Sequence, residues 1–341
     1  MPARSLLTRL RAPLLGLLCL AVLAPACSTG GERLTVYSGR TKNLIGPLLT
    51  QFSEDTGIKI DVRYGDSADL ALLIDTEGAN SDVDVFISQS PGAVGFLDEQ
   101  ARLSALDESE LGLVDADFQA EDGDWIGLSG RVRVLVYNTD LVDESELPDS
   151  VLDMTDERFR GRVAVAPTNG SFQDFVTAMR IELGDDVAER WLADMAANRA
   201  QPYSNNTAIV EAVTRGEIPM GLVNHYYLER ALAEDPDLPA ANHFFAEGDM
   251  GSLLITTAVS IIEGSGQRDD ASALVDYLLS EASQRFFSEE TFEYPLASGV
   301  EPSDQLPPLA SIPTTTIDLD RLGGGLARTA ELIQDSGLDR N

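Results

Sequence analysis

Lysine is nearly absent from this 341-residue chain: Lys42 and Lys59 are the only two, and arginine supplies the other basic side chains. That scarcity reads as a bias of composition, without functional content. Histidine and cysteine are equally rare, two of each. Cys19 lies inside an apolar N-terminal stretch and Cys27 just behind it, so no disulfide can form within a chain that has lost that stretch. His225 and His243 stand apart, and neither Gly-x-Ser-x-Gly nor His-Glu-x-x-His occurs. A secreted enzyme is therefore the least favoured class. Basic charge is short as well, 24 side chains against 57 acids, a net charge of −33. That balance excludes nucleic acid as a partner. The acids are scattered over loops and helix faces, a coat that favours solubility and points to no particular ligand.

What the N-terminus does contain is an export pattern. Arg4, Arg9 and Arg11 precede an apolar core at residues 14–24 that is too short to span a bilayer. It closes on Leu23-Ala24-Pro25-Ala26-Cys27, which resembles a bacterial lipobox with its leucine one place early. The expectation is a signal at residues 1–26, lipid on Cys27, a tether at 27–33, and a protein anchored at the outer face of the cell membrane. Cleavage would remove three arginines and no acids, leaving 21 basic against 57 acidic side chains, or −36.

The remaining length suits two lobes. Strand and helix alternate at short intervals from Leu34 onward, which predicts a parallel α/β sheet. Ligands of such sheets sit beyond the carboxyl ends of the strands. Arg40-Thr41, Ser67 and the turn Ser88-Gln89-Ser90 fall at three such ends and form one candidate wall. A long strand over 127–137 runs out of this first unit, with Arg131 and Arg133 on one face by the period of two. Beyond it, Pro167-Thr168-Asn169-Gly170-Ser171 leads into a helix, a polar turn whose free N–H groups attract anions. With the loop at Tyr203–Asn206 and the stretch Asn224-His225-Tyr226-Tyr227, it forms a second wall. An apolar strand from about Leu253 returns to the first unit. The expected lobes are 34–131 with 255–305, and 132–254 with 306–341, hinged around a central cleft. No apolar stripe asks for a second copy, so a monomer is expected.

Tyr226 and Tyr227 follow an apolar run and precede a helical pattern. At a strand-to-helix turn, adjacent side chains can converge on one point. Paired tyrosines are more often a half-buried feature with wet hydroxyls. Converging, they offer two phenolates, and hard cations such as ferric iron select oxygen donors. Ionising one phenol at pH 7 costs roughly 4 kcal/mol, which only a strong Lewis acid offsets twice. His225 is expected to be a hydrogen-bonded or surface residue, and His243 a solvated one.

The chain resembles the periplasmic ferric-ion-binding proteins of bacterial ABC importers. The markers stand in order: Val36-Tyr37-Ser38-Gly39-Arg40, Asp84-Val85-Phe86, Gly127-Leu128-Ser129-Gly130-Arg131, Pro167 to Phe172, Asn224 to Tyr227, and Glu293-Tyr294-Pro295-Leu296. The resemblance implies a two-lobed venus-flytrap fold, ferric iron as cargo and an ABC permease as partner. It makes Tyr226 and Tyr227 the metal ligands. It implies a synergistic anion, carbonate or phosphate, at Asn169, Gly170, Ser171, Asn206 and Asn224, with Ser90 nearby. Arg40 with Arg131 or Arg133 resembles carbonate-binding arginines; spacing does not choose between the last two. Three family ligands are missing: Thr41, Gln89 and Phe172 stand where other members place histidine, glutamate and tyrosine. Two tyrosinates leave four of six octahedral positions for anion or water. An alternative keeps the fold but binds a metal-free organic anion, such as a phosphonate or sugar phosphate, or an iron chelate taken whole.

Overall fold

The computed structural model describes residues 33–340. The signal expected at 1–26, Cys27 and nearly all of the tether lie outside the described residues. Among those described, no helix is long and apolar enough to cross a membrane. In chain order the elements are β1 (Leu34–Ser38), α1 (Lys42–Thr56), β2 (Ile60–Tyr64), α2 (Ser67–Glu77), β3 (Val85–Ser88), α3 (Pro91–Glu99), β4 (Leu103–Ser104), α4 (Glu108–Leu111) and β5 (Trp125–Asn138). There follow β6 (Val163–Val165), α5 (Gly170–Leu183), α6 (Asp185–Ala197), β7 (Gln201–Pro202), α7 (Asn206–Thr214), β8 (Met220–Asn224), α8 (Tyr226–Glu234) and β9 (Ala240–His243). The last are β10 (Leu254–Ile262), α9 (Arg268–Leu279), α10 (Glu281–Glu289), β11 (Tyr294–Pro295) and α11 (Leu326–Ser336).

Local chemistry sets most boundaries. The stripe Leu44, Ile45, Leu48, Leu49 and Phe52 buries one face of α1, and Gly57 ends it at φ 78, a left-handed conformation that glycine adopts without strain. Pro47 lies inside α1, where its missing N–H removes a helical hydrogen bond. Asp66 caps α2 by accepting from Ala68 N.

The sheet is mixed, where the alternation of elements predicted a parallel one. Its main path runs β2-β1-β3-β10-β5-β8-β6-β7. β1 pairs in parallel with β2 and β3, and β6 with β7 and β8. β10 enters between β3 and β5, antiparallel to both. About half of the chain separates it from β3, so no local pattern announces it.

β5 joins the two halves. Its first part, through Val132, pairs with β10, and its second part, from Arg133, pairs with β8 and β9. All fourteen of its residues are buried. One apolar core packs α1, α9 and α10 against the first half, and another packs α7 and α8 against the second. The C-terminal segment Leu319–Gly325 touches both sides: a Cβ on Gly323 would lie 2.5 Å from the backbone of Gly95 in α3, and one on Gly325 2.3 Å from Thr177 in α5.

Candidate functional site

β8 ends at Asn224 and α8 begins at Tyr226, so His225 alone makes the turn. The turn is fastened to β5 by a reciprocal pair: His225 N donates to Val132 O at 2.9 Å, and Val132 N donates to His225 Nδ1 at 3.1 Å. The imidazole also stacks on Tyr294, 5.0 Å between centroids. Burial pulls its pKa down to about 4 against the opposing charge of Glu293, so the ring is a neutral acceptor with a structural task. His243 is less solvated than its acidic surroundings suggested: it lies in β9 with Nε2 2.8 Å from Pro148 O.

Because the turn is so short, the two phenols point the same way. Their ring centroids are 4.2 Å apart and the planes 27° from parallel. Tyr226 is fully buried, and its hydroxyl has no hydrogen-bond partner. Burial, then the charges of Tyr227 and Glu293, push its pKa well above 10, with Arg131 and Arg40 pulling the other way. Such a phenol stays protonated until a cation displaces the proton. Tyr227 is half-buried and lines the cleft beside it.

The cleft encloses about 690 Å³. One side is built by Thr41, Asp66, Ser67, Gln89 and Ser90, the other by Asn169, Gly170, Ser171, Asp174, Tyr226 and Tyr227. Gly39 is required behind the first side, since a Cβ there would sit 1.8 Å from Ser67 Oγ. Ser67 Oγ in turn accepts from Gln89 N at 2.9 Å and shapes that turn. Thr41 is exposed at the rim. Phe172 does not reach the cleft: it is buried against Phe175 and Trp191.

The helix-start turn is organised around Asn169, whose Oδ1 accepts from Ser171 N at 3.2 Å and Ser171 Oγ at 2.6 Å. Asn206 and Asn224 lie behind it rather than on the cleft surface, joined through long contacts: Asn206 Nδ2 to Ser171 Oγ at 3.4 Å, and Arg133 Nη1 to Ser171 Oγ and Asn224 Oδ1, each 3.4 Å. Several polar atoms here are buried without a partner, among them Asn206 Oδ1, Asn224 Nδ2, and Arg133 Nε and Nη2. Buried polar groups are normally satisfied, so such a concentration marks a place for a ligand.

The three arginines separate clearly. Arg40 is fully buried, and its guanidinium grips Glu293 in a fork, 2.8 and 2.5 Å, with Nη1 also 2.8 Å from Thr257 Oγ1. Arg131 bonds Thr257 Oγ1 at 2.9 Å and Gln89 O, with Glu293 at 4.0 Å. Burial by itself would raise the Glu293 pKa, but the Arg40 guanidinium holds it below the usual carboxylate range. The anion-binding role expected of Arg40 therefore meets a competing partner, the Glu293 carboxylate in its fork, while Arg131 bonds Thr257 and Gln89 with Glu293 4.0 Å away. Arg40 and Arg131 each leave Nε without a partner, whereas Arg133 bonds no carboxylate and leaves both Nε and Nη2 free. Burial draws its pKa down to about 9 despite Tyr227 and Asp174 nearby.

Two functional candidates escaped the sequence reading. Glu293 sits 253 positions from Arg40 and was visible only as part of a motif. Asp174, buried to 1 % exposure among Phe172, Phe175 and Val176, left one trace: an acid within an apolar helical stripe.

Against known proteins, the profile of the bacterial extracellular solute-binding protein family matches residues 80–322. The major ferric iron-binding protein of Neisseria meningitidis is 30% identical over 298 residues, 86% of this chain and 89% of that protein. Iron-bound HitA from Pseudomonas aeruginosa superposes with a TM-score of 0.85 at 31% identity, covering 90% of this chain and 99% of that one. The Trichodesmium protein IdiA (FutA), solved with iron and citrate, gives 0.78 at 27% identity, covering 90% and 100%.

Proposed function

The chain belongs to the bacterial extracellular solute-binding proteins and groups there with the ferric-ion-binding proteins, and from that premise we propose that it captures ferric iron outside the cytoplasm for an ABC importer. Iron is the cargo, held by the phenolates of Tyr226 and Tyr227. A synergistic anion, carbonate or phosphate, completes the coordination from Arg133, Asn169, Gly170, Ser171, Asn206 and Asn224. The observation that carries this reading is the pair of stacked phenols at the cleft, one fully buried with an unpaired hydroxyl. An unsatisfied buried hydroxyl costs about 1–3 kcal/mol. The fold keeps it where a cation would convert that cost into a bond.

The lobes, 34–131 with 255–305 and 132–254 with 306–341, close on the cargo by bending where β5 changes partners at Val132 and Arg133. Export through the residue 1–26 signal and a lipid on Cys27 keep the protein near its permease. Nothing in the site calls for turnover of the cargo.

Titrating the signal-free apo protein with ferric nitrilotriacetate, with and without carbonate, tests the assignment. A visible tyrosinate-to-iron charge-transfer band is expected, abolished in Tyr227→Phe and Tyr226→Phe. Full iron binding by either variant would sink it.

A second reading draws on the size of the cleft. About 690 Å³ is within the range of small-molecule pockets and far exceeds one bare ion. An intact iron chelate, or a metal-free organic anion resting on Arg133, fits that room. A folded protein that binds phosphonate or citrate yet never colours with iron would favour it.

A further inference from the structure

Arg133 and Asp174 share one anomaly. Each is 1 % exposed. Arg133 Nε and Nη2 lack hydrogen-bond partners, and so do both carboxylate oxygens of Asp174. The two side chains are near enough to interact electrostatically, but they do not bond to each other. A buried charge without a partner is among the costliest features a fold can carry, and a direct ion pair would relieve both at once. A fold that keeps them apart leaves two openings of opposite sign, side by side. The free guanidinium edge suits an anion, and the free carboxylate suits a cation.

Asp174 faces the cleft that Tyr226 and Tyr227 also line. It sits in the second turn of α5, one helical turn beyond Gly170, on the same side of the cleft as the phenols. We propose that Asp174 is a third protein ligand of the bound metal ion, its carboxylate joining the two phenolates. This rests on the ferric-iron reading above and adds to it. Two phenolates and a carboxylate bring three negative oxygen donors, which match the charge of a ferric ion and its preference for hard ligands. They also supply from α5 the acid that Gln89 does not provide from the opposite side. Three of six positions are then protein-borne, leaving room for a bidentate anion on Arg133 and one water. The other groups around Asp174 fit this role: Ser90, across the cleft and within reach of a hydrogen bond to it, does most to favour the charged form, Arg131 and Arg133 add to it, and Asp66 opposes.

The test compares wild type, Asp174→Asn, Asp174→Glu and Tyr227→Phe in ferric nitrilotriacetate titrations. Three quantities are read: the charge-transfer band, the affinity by competition with citrate, and the melting temperature of each apo form. Asp174→Asn is nearly isosteric and removes a buried unpaired charge, so its apo form is expected to melt no lower than wild type. Its affinity should fall by at least about 10–100-fold, the range seen when even an outer partner that supports a ligand is lost. Its band should persist at longer wavelength, because an iron with one anionic donor fewer accepts phenolate charge more readily. Asp174→Glu, which keeps the carboxylate, should recover part of the affinity and move the band back. A merely structural aspartate would lower the apo melting temperature and leave the band in place. Unchanged band and affinity in Asp174→Asn overturn the third ligand while leaving the tyrosinates intact. Absence of a band in wild type overturns the ferric reading and this ligand together.

Discussion

Two buried charge systems lie a few residues apart along β5, and the fold treats them in opposite ways. Around Arg131, on the β10 side, Arg40, Glu293 and Thr257 form a bonded set in which a carboxylate and a hydroxyl answer the guanidinium ends, with Nε of each arginine left without a partner. Phe292, a non-glycine residue at φ 58, holds a strained backbone beside Glu293, and Thr291 Oγ1 supports its Oε2 at 3.0 Å. Around Arg133, on the β8 side, Asp174, Tyr226, Asn206 and Asn224 leave polar atoms unpaired. The first set resembles the inside of any protein. The second is a fold stopped short of satisfying itself, which is how a binding site looks before its ligand arrives. Side-chain type does not separate the two, since both centre on a buried arginine. Their hydrogen-bond accounts do.

The largest expected effect comes from breaking the bonded set. Glu293→Gln removes the only acid between two buried guanidiniums, and losing one partner of a buried ion pair costs about 3–5 kcal/mol. Urea denaturation of the apo protein should show that loss, while the variant that remains folded keeps its iron colour. If colour vanished while stability held, Glu293 would belong to the binding system and the contrast would be misdrawn. Arg40→Ala should behave like Glu293→Gln. Added carbonate or phosphate should then fail to restore it, because what is lost is an internal partner.

The second effect sharpens the open set. Burial pushes the Asp174 carboxyl up to about 6, from an ordinary value of 3.8, with Ser90, Arg131 and Arg133 pulling down and Asp66 pushing up. A carboxyl raised on folding gives full stability below its unfolded pKa and loses it as pH climbs through the folded value. The window is therefore pH 4 to 6. Two units correspond to about 3 kcal/mol. Apo Asp174→Asn should exceed apo wild type by up to that amount at pH 7, and the gap should close below pH 4. Comparing the two proteins at each pH cancels the other acids. A constant gap across the range would mean that Asp174 is not carrying an unpaired charge.

How much of this was legible beforehand follows from distance along the chain. The turn at Asn224–Tyr227 could be read directly, because an apolar strand, one turn residue and a helical pattern are all local. The turn at Pro167–Ser171 was legible as a helix start for the same reason. Arg40 was placed at a strand end, where ligands gather, but its partner lies on the far side of the sequence, and nothing near Arg40 discloses Glu293. The antiparallel entry of β10 was hidden for the same reason. Asp174 could be seen as an oddity among Phe172, Phe175 and Val176, but whether a buried acid is paired depends on β5 and α8, which only the fold brings to it.

The smallest effect asks whether the open set's cost arises within its own wall or across the cleft. Asp66 is the one acid that opposes Asp174, and it stands on the opposite side as the cap of α2. Asn caps a helix as well as Asp, so Asp66→Asn removes the charge and keeps the helix start. Asp66 is exposed, so its field is screened and amounts to about 0.5 kcal/mol or less. In the Asp66→Asn background, the stability gap between Asp174 and its Asn variant at pH 7 should shrink by only that much, and the pH at which the gap opens should fall slightly. A shrinkage approaching the whole gap would locate the cost in repulsion between the two sides of the cleft. Closure would then be opposed by one acid pair until a cation neutralised it, and the contrast between a bonded and an open polar set would reduce to Asp66 against Asp174.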